Sequence, residues 1–152
     1  ESADAHRRVT AGTSTPILAG ENLIRVEGFL PFFEAGALDI AAPDIQKCAG
    51  LSEFRKIATV ADTYDVPVSP HNVASPIGTM ASVHACATVP NAFALEYHAR
   101  DVEWWDDLHM GDPLIEDGKI AVPERPGLGI EVDVDEINDR LAVGEEPLEA
   151  VQ

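Results

Sequence analysis

The chain has 152 residues, the size of one ordinary domain, and 45% of them are apolar, enough to bury a core. Its 27 acidic residues against 10 basic ones give a net charge of −17, and its only lysines are Lys47, Lys56 and Lys119. Phosphate contacts need Lys/Arg clusters, so nucleic-acid binding is disfavoured. No stretch approaches the roughly 20 continuous apolar residues of a membrane span, and no basic-then-apolar start reads as a signal peptide. The expected setting is therefore cytoplasmic, unless a leader has been removed.

The acids form no block of five or more like charges and are spread over an otherwise globular pattern. Such a surface keeps a protein soluble by self-repulsion and suits a salt-adapted, halophilic source; an ordinary acidic protein is the plainer alternative. Cys48 and Cys86 lie 38 residues apart with no CxxC and no paired histidine nearby. Two reduced thiols are expected, rather than a disulfide framework or a zinc site.

In chain order, residues 3–11 read as the end of a helix stopped at Gly12. Pro16 to Ala19 is a short apolar run bounded by turn residues, hence a buried strand. A helical face of Leu23, Val26, Leu30 and Phe33 follows and ends at Gly36. Leu38 to Ala42 is the next strand, closed by Pro43-Asp44. Ser52 can cap a helix with Phe54, Ile57, Ala58 and Ala61 on its apolar side. Val66 to Ser69 is a third strand, closed by Pro70-His71. A helix rich in small residues spans 76–89, and Ala92 to Glu96 is a fourth strand.

This βαβαβαβ alternation predicts a parallel sheet covered by helices. Glu21, Asp44, His71 and Glu96 end the four strands at intervals of 23, 27 and 25 residues. That spacing approaches the roughly 30 residues per unit of a (β/α)-barrel. A doubly wound sheet would show a Gly-rich phosphate loop after its first strand, which is absent. Four units cannot close an eight-stranded barrel, so the chain is expected to belong to a longer one or to assemble with another half. The opening helix with no strand before it favours the longer chain.

Residues 101–152 differ from residues 1–100, the four βα units. They hold 16 of the 27 acids, the Trp104-Trp105 pair and a hairpin signal at Asp117-Gly118 between Leu114-Ile115 and Ile120-Ala121-Val122. Asp133 or Asp135 can cap a final helix running through Leu141. A cap or clasp wrapped around the barrel is expected, with the tryptophans packing against neighbours rather than forming a ligand platform.

Side chains at barrel strand ends converge on one mouth. Asp44 beside His71 would fix the ring tautomer and leave the other nitrogen to act as base or acid; a satisfied loop histidine is the alternative. His6, His84, His98 and His109 do not pair with a strand-end carboxylate in this pattern and are expected to be ordinary satisfied histidines. Glu21 reads equally as a hard oxygen ligand for Mg²⁺ and as a glutamate favoured at a helix N-terminus. Glu96 lies across the mouth, where it can hydrogen-bond the oxygen of a developing enolate, or is a surface glutamate.

Several runs together carry a family resemblance: Pro16-Ile17-Leu18-Ala19-Gly20-Glu21, Asp39-Ile40-Ala41-Ala42-Pro43-Asp44, Ala49-Gly50-Leu51-Ser52-Glu53, Pro70-His71-Asn72, Pro90-Asn91 through Glu96, and Pro126-Gly127-Leu128-Gly129-Ile130-Glu131. From residue 16 to about 137 the chain resembles the C-terminal barrel half of the enolase superfamily. Within it, the chain is similar to the mandelate racemase subgroup and its acid-sugar dehydratases of the galactonate and gluconate type. The resemblance implies that Glu21 is the third of three Mg²⁺-ligating carboxylates. It implies that Asp44 and His71 form the Asp–His acid/base dyad, and that Glu96 hydrogen-bonds the substrate carboxylate. In such enzymes a proton α to a carboxylate is removed, Mg²⁺ stabilises the enediolate, and the β-hydroxyl leaves, with His71 as the acid for that step.

The resemblance also implies partners: a sugar-acid substrate, an N-terminal half of the barrel with a capping domain, and a homo-oligomeric assembly. The other two metal ligands and the opposite-face base would lie upstream of residue 1, so the chain alone is expected to be inactive. The usual Gly-Gly before the second-unit helix is Ala49-Gly50 here. A racemase, epimerase or cycloisomerase of the same superfamily remains open, as does a non-catalytic half-barrel assembly module.

Overall fold

The computed structural model describes residues 2–98 and 102–149. Helix α1 (Ala3–Thr10) is followed by β1 (Leu18–Ala19), α2 (Arg25–Ala35), β2 (Ile40–Ala41), α3 (Leu51–Asp62) and α4 (Pro76–Cys86). The short α5 (Val134–Asn138) lies near the end of the described chain. None of these helices is long and apolar enough to cross a membrane.

β1 and β2 pair in parallel, with Leu18 opposite Ile40 and Ala19 opposite Ala41. Parallel bridges then link Ala41 to Val68 and Val68 to Ala92. Four parallel lanes thus lie side by side in chain order. The third and fourth are narrow, but their backbone bonds run on toward the strand ends. Phe93 N–H donates to the Val68 carbonyl at 2.8 Å, and Glu96 N–H to the Pro70 carbonyl at 3.4 Å. In-order parallel lanes place successive strand C-termini next to one another, which is the step that matters for the site.

The core lies between the lanes and their helices. Phe29, Phe32 and Phe33 of α2 meet Phe54, Ile57, Ala58 and Ala61 of α3 over Ala41 and Val68. The α3 face repeats at helical spacing, and all four of its residues are fully buried. That helix starts one residue before Ser52, at Leu51, with Gly50 as its cap at φ 88°. Ser52 is therefore inside the first turn, because the tight turn at Ala49-Gly50 already sets the chain's direction.

Other ends also shift. α1 is capped by Ala11 rather than Gly12, and α4 ends at Cys86, three residues short of the predicted span. Gly36 terminates α2 at φ 57°, a left-handed cap that favours glycine. In the last third, Asp117 (φ 49°) and Gly118 (φ 72°) turn the hairpin, closed by the Glu116–Lys119 bridge. Both φ values are positive, as a type I′ turn requires. Asp133 caps α5 by accepting from Glu136 N–H at 3.0 Å, and the helix ends at Asn138 rather than Leu141.

Among the described residues, two long-range bonds tie the last third to α4 and the loop before it. Trp105 Nε1 donates to the Ala74 carbonyl at 2.7 Å, and His84 Nε2 meets the Leu128 carbonyl at 3.1 Å. Trp105 is buried and stacks edge-on with Tyr97, whereas Trp104 is exposed under the Arg140 guanidinium. The division expected at residues 100 and 101 lies outside the described residues.

Candidate active site

Asp44 follows β2 by three residues and is the one buried acidic side chain among the described residues. An ion in such a place costs several kcal/mol unless it is paired. The turn after β2 supplies part of the compensation: Asp44 Oδ1 accepts from Gln46 N–H at 2.8 Å. Its carbonyl accepts from Lys47 and Cys48 N–H at 3.0 and 2.7 Å. The other carboxylate oxygen, Oδ2, lies 2.9 Å from His71 Nδ1 and 3.5 Å from Lys47 Nζ.

This contact settles the ring's chemistry. With Nδ1–H donating to Asp44, the neutral imidazole carries its lone pair on Nε2. No hydrogen bond from the described residues engages Nε2, and the His71 side chain is one-fifth exposed. The pair can accept a proton at Nε2 and return it, with Asp44 stabilising the imidazolium in between.

Glu96 stands at the end of the next lane, with its backbone joined to Pro70. Its Oε2 accepts from Asn72 N–H at 3.1 Å, and its carbonyl accepts from Asn72 Nδ2 at 3.0 Å. Asn72 itself is buried. Its amide also donates to Thr79 Oγ1 at 3.0 Å and accepts from Ser82 Oγ at 3.5 Å, both on α4. Asn72 is the residue that reading from the sequence missed. The signal was its place immediately after the candidate acid/base in a Pro-His-Asn run, but its partners lie 7, 10 and 24 residues away.

Glu21 closes the first lane and is half-buried, with Asn22 Nδ2 donating to Oε1 at 3.4 Å. Gly20 adopts φ 121°, and a Cβ there would lie 2.7 Å from the Phe29 ring, so the missing side chain makes room for the core. Among the described residues no group of three or more His, Cys, Asp or Glu is placed to hold a metal ion. Glu21 alone is one oxygen donor, too few to make a Mg²⁺ site from this chain by itself.

The remaining candidates have structural roles. Burial pushes the Cys48 and Cys86 thiols up to about 11, which keeps both protonated and unreactive near neutral pH. His84 and His109 bond backbone carbonyls, and His6 packs edge-on against Phe32. A cavity of about 630 Å³ lies between α4 and the hairpin, lined by Cys86, Phe93, Ile115 and Ile120. Its lining is mainly apolar, with Lys119 on the hairpin side, and includes none of the four strand-end residues. At the lanes' open ends, away from this cavity, a buried carboxylate orients an accessible imidazole.

A known family, described as enolase C-terminal domain-like, matches residues 1–137. The chain belongs to this family. It is 47% identical over 145 residues to a D-xylonate dehydratase of Haloferax volcanii, covering 95% of this chain and 35% of that protein. It is 34% identical over 139 residues to a D-galactonate dehydratase of Ralstonia pickettii, covering 88% and 36%. The chain thus spans about a third of the length of these enolase-superfamily relatives.

Among solved structures, a mandelate racemase/muconate lactonizing enzyme-like protein from Rubrobacter xylanophilus superposes with a TM-score of 0.90 at 42% identity, covering 95% of this chain and 37% of that one. A 3,6-anhydro-D-galactonate cycloisomerase from Zobellia galactanivorans gives 0.83 at 34% identity, covering 93% and 40%. The α/β fold is therefore that of the enolase C-terminal domain.

Proposed function

We propose that this chain is the C-terminal portion of a Mg²⁺-dependent sugar-acid dehydratase. Such an enzyme removes the proton α to a carboxylate and expels the β-hydroxyl as water. The observation that carries the reading is the Asp44–His71 contact of 2.9 Å at adjacent lane ends. The 47% identity to a D-xylonate dehydratase supports the dehydratase class.

In this reading His71 works at Nε2. The neutral ring takes up a proton there, and the imidazolium, held by Asp44, delivers it to the departing hydroxyl. Glu96 faces the substrate carboxylate, and a carboxyl donates a hydrogen bond only while it carries its own proton. Mg²⁺, when bound, stabilises charge developing on the substrate oxygens. Glu21 gives it one ligand, and the other ligands come from outside these residues.

The partners of this reading are a sugar acid, an upstream barrel half with a capping domain, and further copies of the same subunit. The excess of acidic over basic residues suits a cytoplasm of high salt. A thermal midpoint that rises with KCl over the molar range supports that setting, and one that falls or stays flat opposes it.

A racemase, epimerase or cycloisomerase is the second reading. It is favoured by the fold shared with the 3,6-anhydro-D-galactonate cycloisomerase. Product analysis of the full-length protein on a panel of sugar acids separates the readings: a 2-keto-3-deoxy acid marks dehydration, and an isomer of unchanged mass marks the alternative. In the full-length protein His71→Ala is expected to keep Mg²⁺ binding, measured by calorimetry, while losing turnover. Unchanged turnover would remove His71 from the mechanism.

A further inference from the structure

Asn72 joins the two strand ends that carry the proposed chemistry. Its side chain is almost fully buried, and its backbone N–H, both amide donations and its Oδ1 are all engaged. Two of those bonds go to α4, through Thr79 and Ser82, and two go to Glu96. The Glu96 pair is unusual in kind: the backbone N–H holds the carboxyl oxygen Oε2, while the side-chain amide holds the same residue's carbonyl. With Glu96 N–H on Pro70, three bonds link the segment around His71 to the fourth lane.

An asparagine placed only to satisfy a loop would bond within its own turn. This one spans 24 residues to reach the next lane and anchors itself on a helix. Oε2 already accepts from Asn72 N–H, and no hydrogen bond from the described residues engages Oε1, so Oε1 is the freer oxygen for a substrate. The rotamer of Glu96 is thereby selected, and with it the place of a bound substrate relative to His71 Nε2.

We infer that Asn72 is a positioning residue, which fixes the Glu96 carboxyl so that Oε1 meets the substrate opposite His71. The inference rests on the proposed reading of His71 and Glu96. It does not make Asn72 a group that touches the reacting atoms. Aspartate at this position would lose both amide donations and set a second negative charge beside Glu96. Alanine would remove the amide's bonds to the Glu96 carbonyl and to α4, which set where the loop's backbone N–H meets Oε2, while keeping the loop's length.

The experiment uses the full-length protein and a double-mutant cycle of Asn72→Ala with Glu96→Gln. Asn72→Ala keeps the backbone N–H on Oε2 but loses the amide's bond to the Glu96 carbonyl, and is expected to lower kcat about 5- to 20-fold, the size of an uncharged hydrogen bond whose acceptor loses its partner, with KM within about threefold. If Asn72 acts through Glu96, the double variant stays within about threefold of Glu96→Gln alone. Losses that multiply independently, or an unchanged kcat in Asn72→Ala, overturn the inference.

If Asn72→Ala does not fold, Thr79→Val removes one acceptor of the amide while conserving shape. A several-fold lower kcat in that variant supports the inference, and an unchanged kcat overturns it. A readout independent of turnover separates this inference from the functional reading. The crystal structure of the Asn72→Ala protein, or of Thr79→Val, is expected to show the Glu96 carboxyl displaced, and an unmoved carboxyl overturns positioning. Absence of turnover on any sugar acid by the wild-type protein would instead defeat the functional reading.

Discussion

Asp44 Oδ2 and His71 Nδ1 lie 2.9 Å apart although 27 residues of chain separate them, because each sits just past the end of neighbouring parallel lanes. Asp44→Asn is therefore the most informative single change at the site. The amide keeps the shape but presents either a neutral acceptor or an N–H to the ring, so the tautomer is no longer fixed. In the full-length protein turnover is expected to fall by roughly 10²–10⁴, the scale of an acid/base contribution. The loss should come with little change in Mg²⁺ affinity, because Asp44 is not proposed as a ligand. Steady-state kinetics and calorimetry on the same preparation check both parts.

Two positive-φ positions give opposite predictions. Ala49 sits at φ 84°, a conformation that costs a non-glycine residue roughly 1–2 kcal/mol, while glycine loses about 0.5–1 kcal/mol more entropy on folding. Ala49→Gly is expected to stabilise by a net amount of about 0.5–1 kcal/mol. Gly20→Ala places a Cβ 2.7 Å from the buried Phe29 ring at φ 121° and is expected to destabilise by about 1–3 kcal/mol. Denaturant melts of the two variants should move in opposite directions.

Trp105→Phe tests the attachment of the last third. The change keeps an aromatic ring against Tyr97 but deletes the 2.7 Å bond from Nε1 to the Ala74 carbonyl. That carbonyl then loses its partner, at a cost of about 1–3 kcal/mol. Amide exchange is expected to quicken in residues 102–110 and at Ala74, while α2 and α3 stay protected. Uniform loss of protection across the chain would contradict a local tie.

The acid limb of stability includes a contribution from Glu53. Lys56 and the Val26 N–H hold its carboxyl below the ordinary value of 4.5, so the folded state favours the charged form. The contribution is full above the unfolded value and is lost as pH falls through the lower folded one. Glu53→Gln should therefore narrow the stability gap to wild type as pH drops below about 4.5. Thermal midpoints at pH 7 and pH 3 measure it, and a gap that widens on acidification refutes it.

Much of this was legible in the residues because periodicity and turn chemistry are local. The α3 face, the Gly36 cap and the Asp117-Gly118 turn each follow from neighbours in the chain. Helix ends were less legible: Ser52 has the right chemistry for a cap, but the turn at Ala49-Gly50 starts α3 one residue before it. The N-terminus of α2 is served from α3, where Glu53 accepts from Val26 N–H at 3.1 Å, and no local pattern announces a cap supplied by another helix.

The sequence by itself determined the alternation of strand and helix and the spacing of the four strand-end residues, because apolar runs of fixed length and spacing leave few other ways to bury a core; the family was legible only through the resemblance of its ordered motifs. Only the tertiary structure decided how those ends are joined. It put the Asp44 carboxylate on the His71 ring, assigned Gly20 to the packing of Phe29, and made Asn72 the link between His71 and Glu96. The two hydrogen-bonded relations join segments 24 and 27 residues apart, and pairing across lanes sets them, while the Gly20 contact is set by how α2 packs back on the first lane.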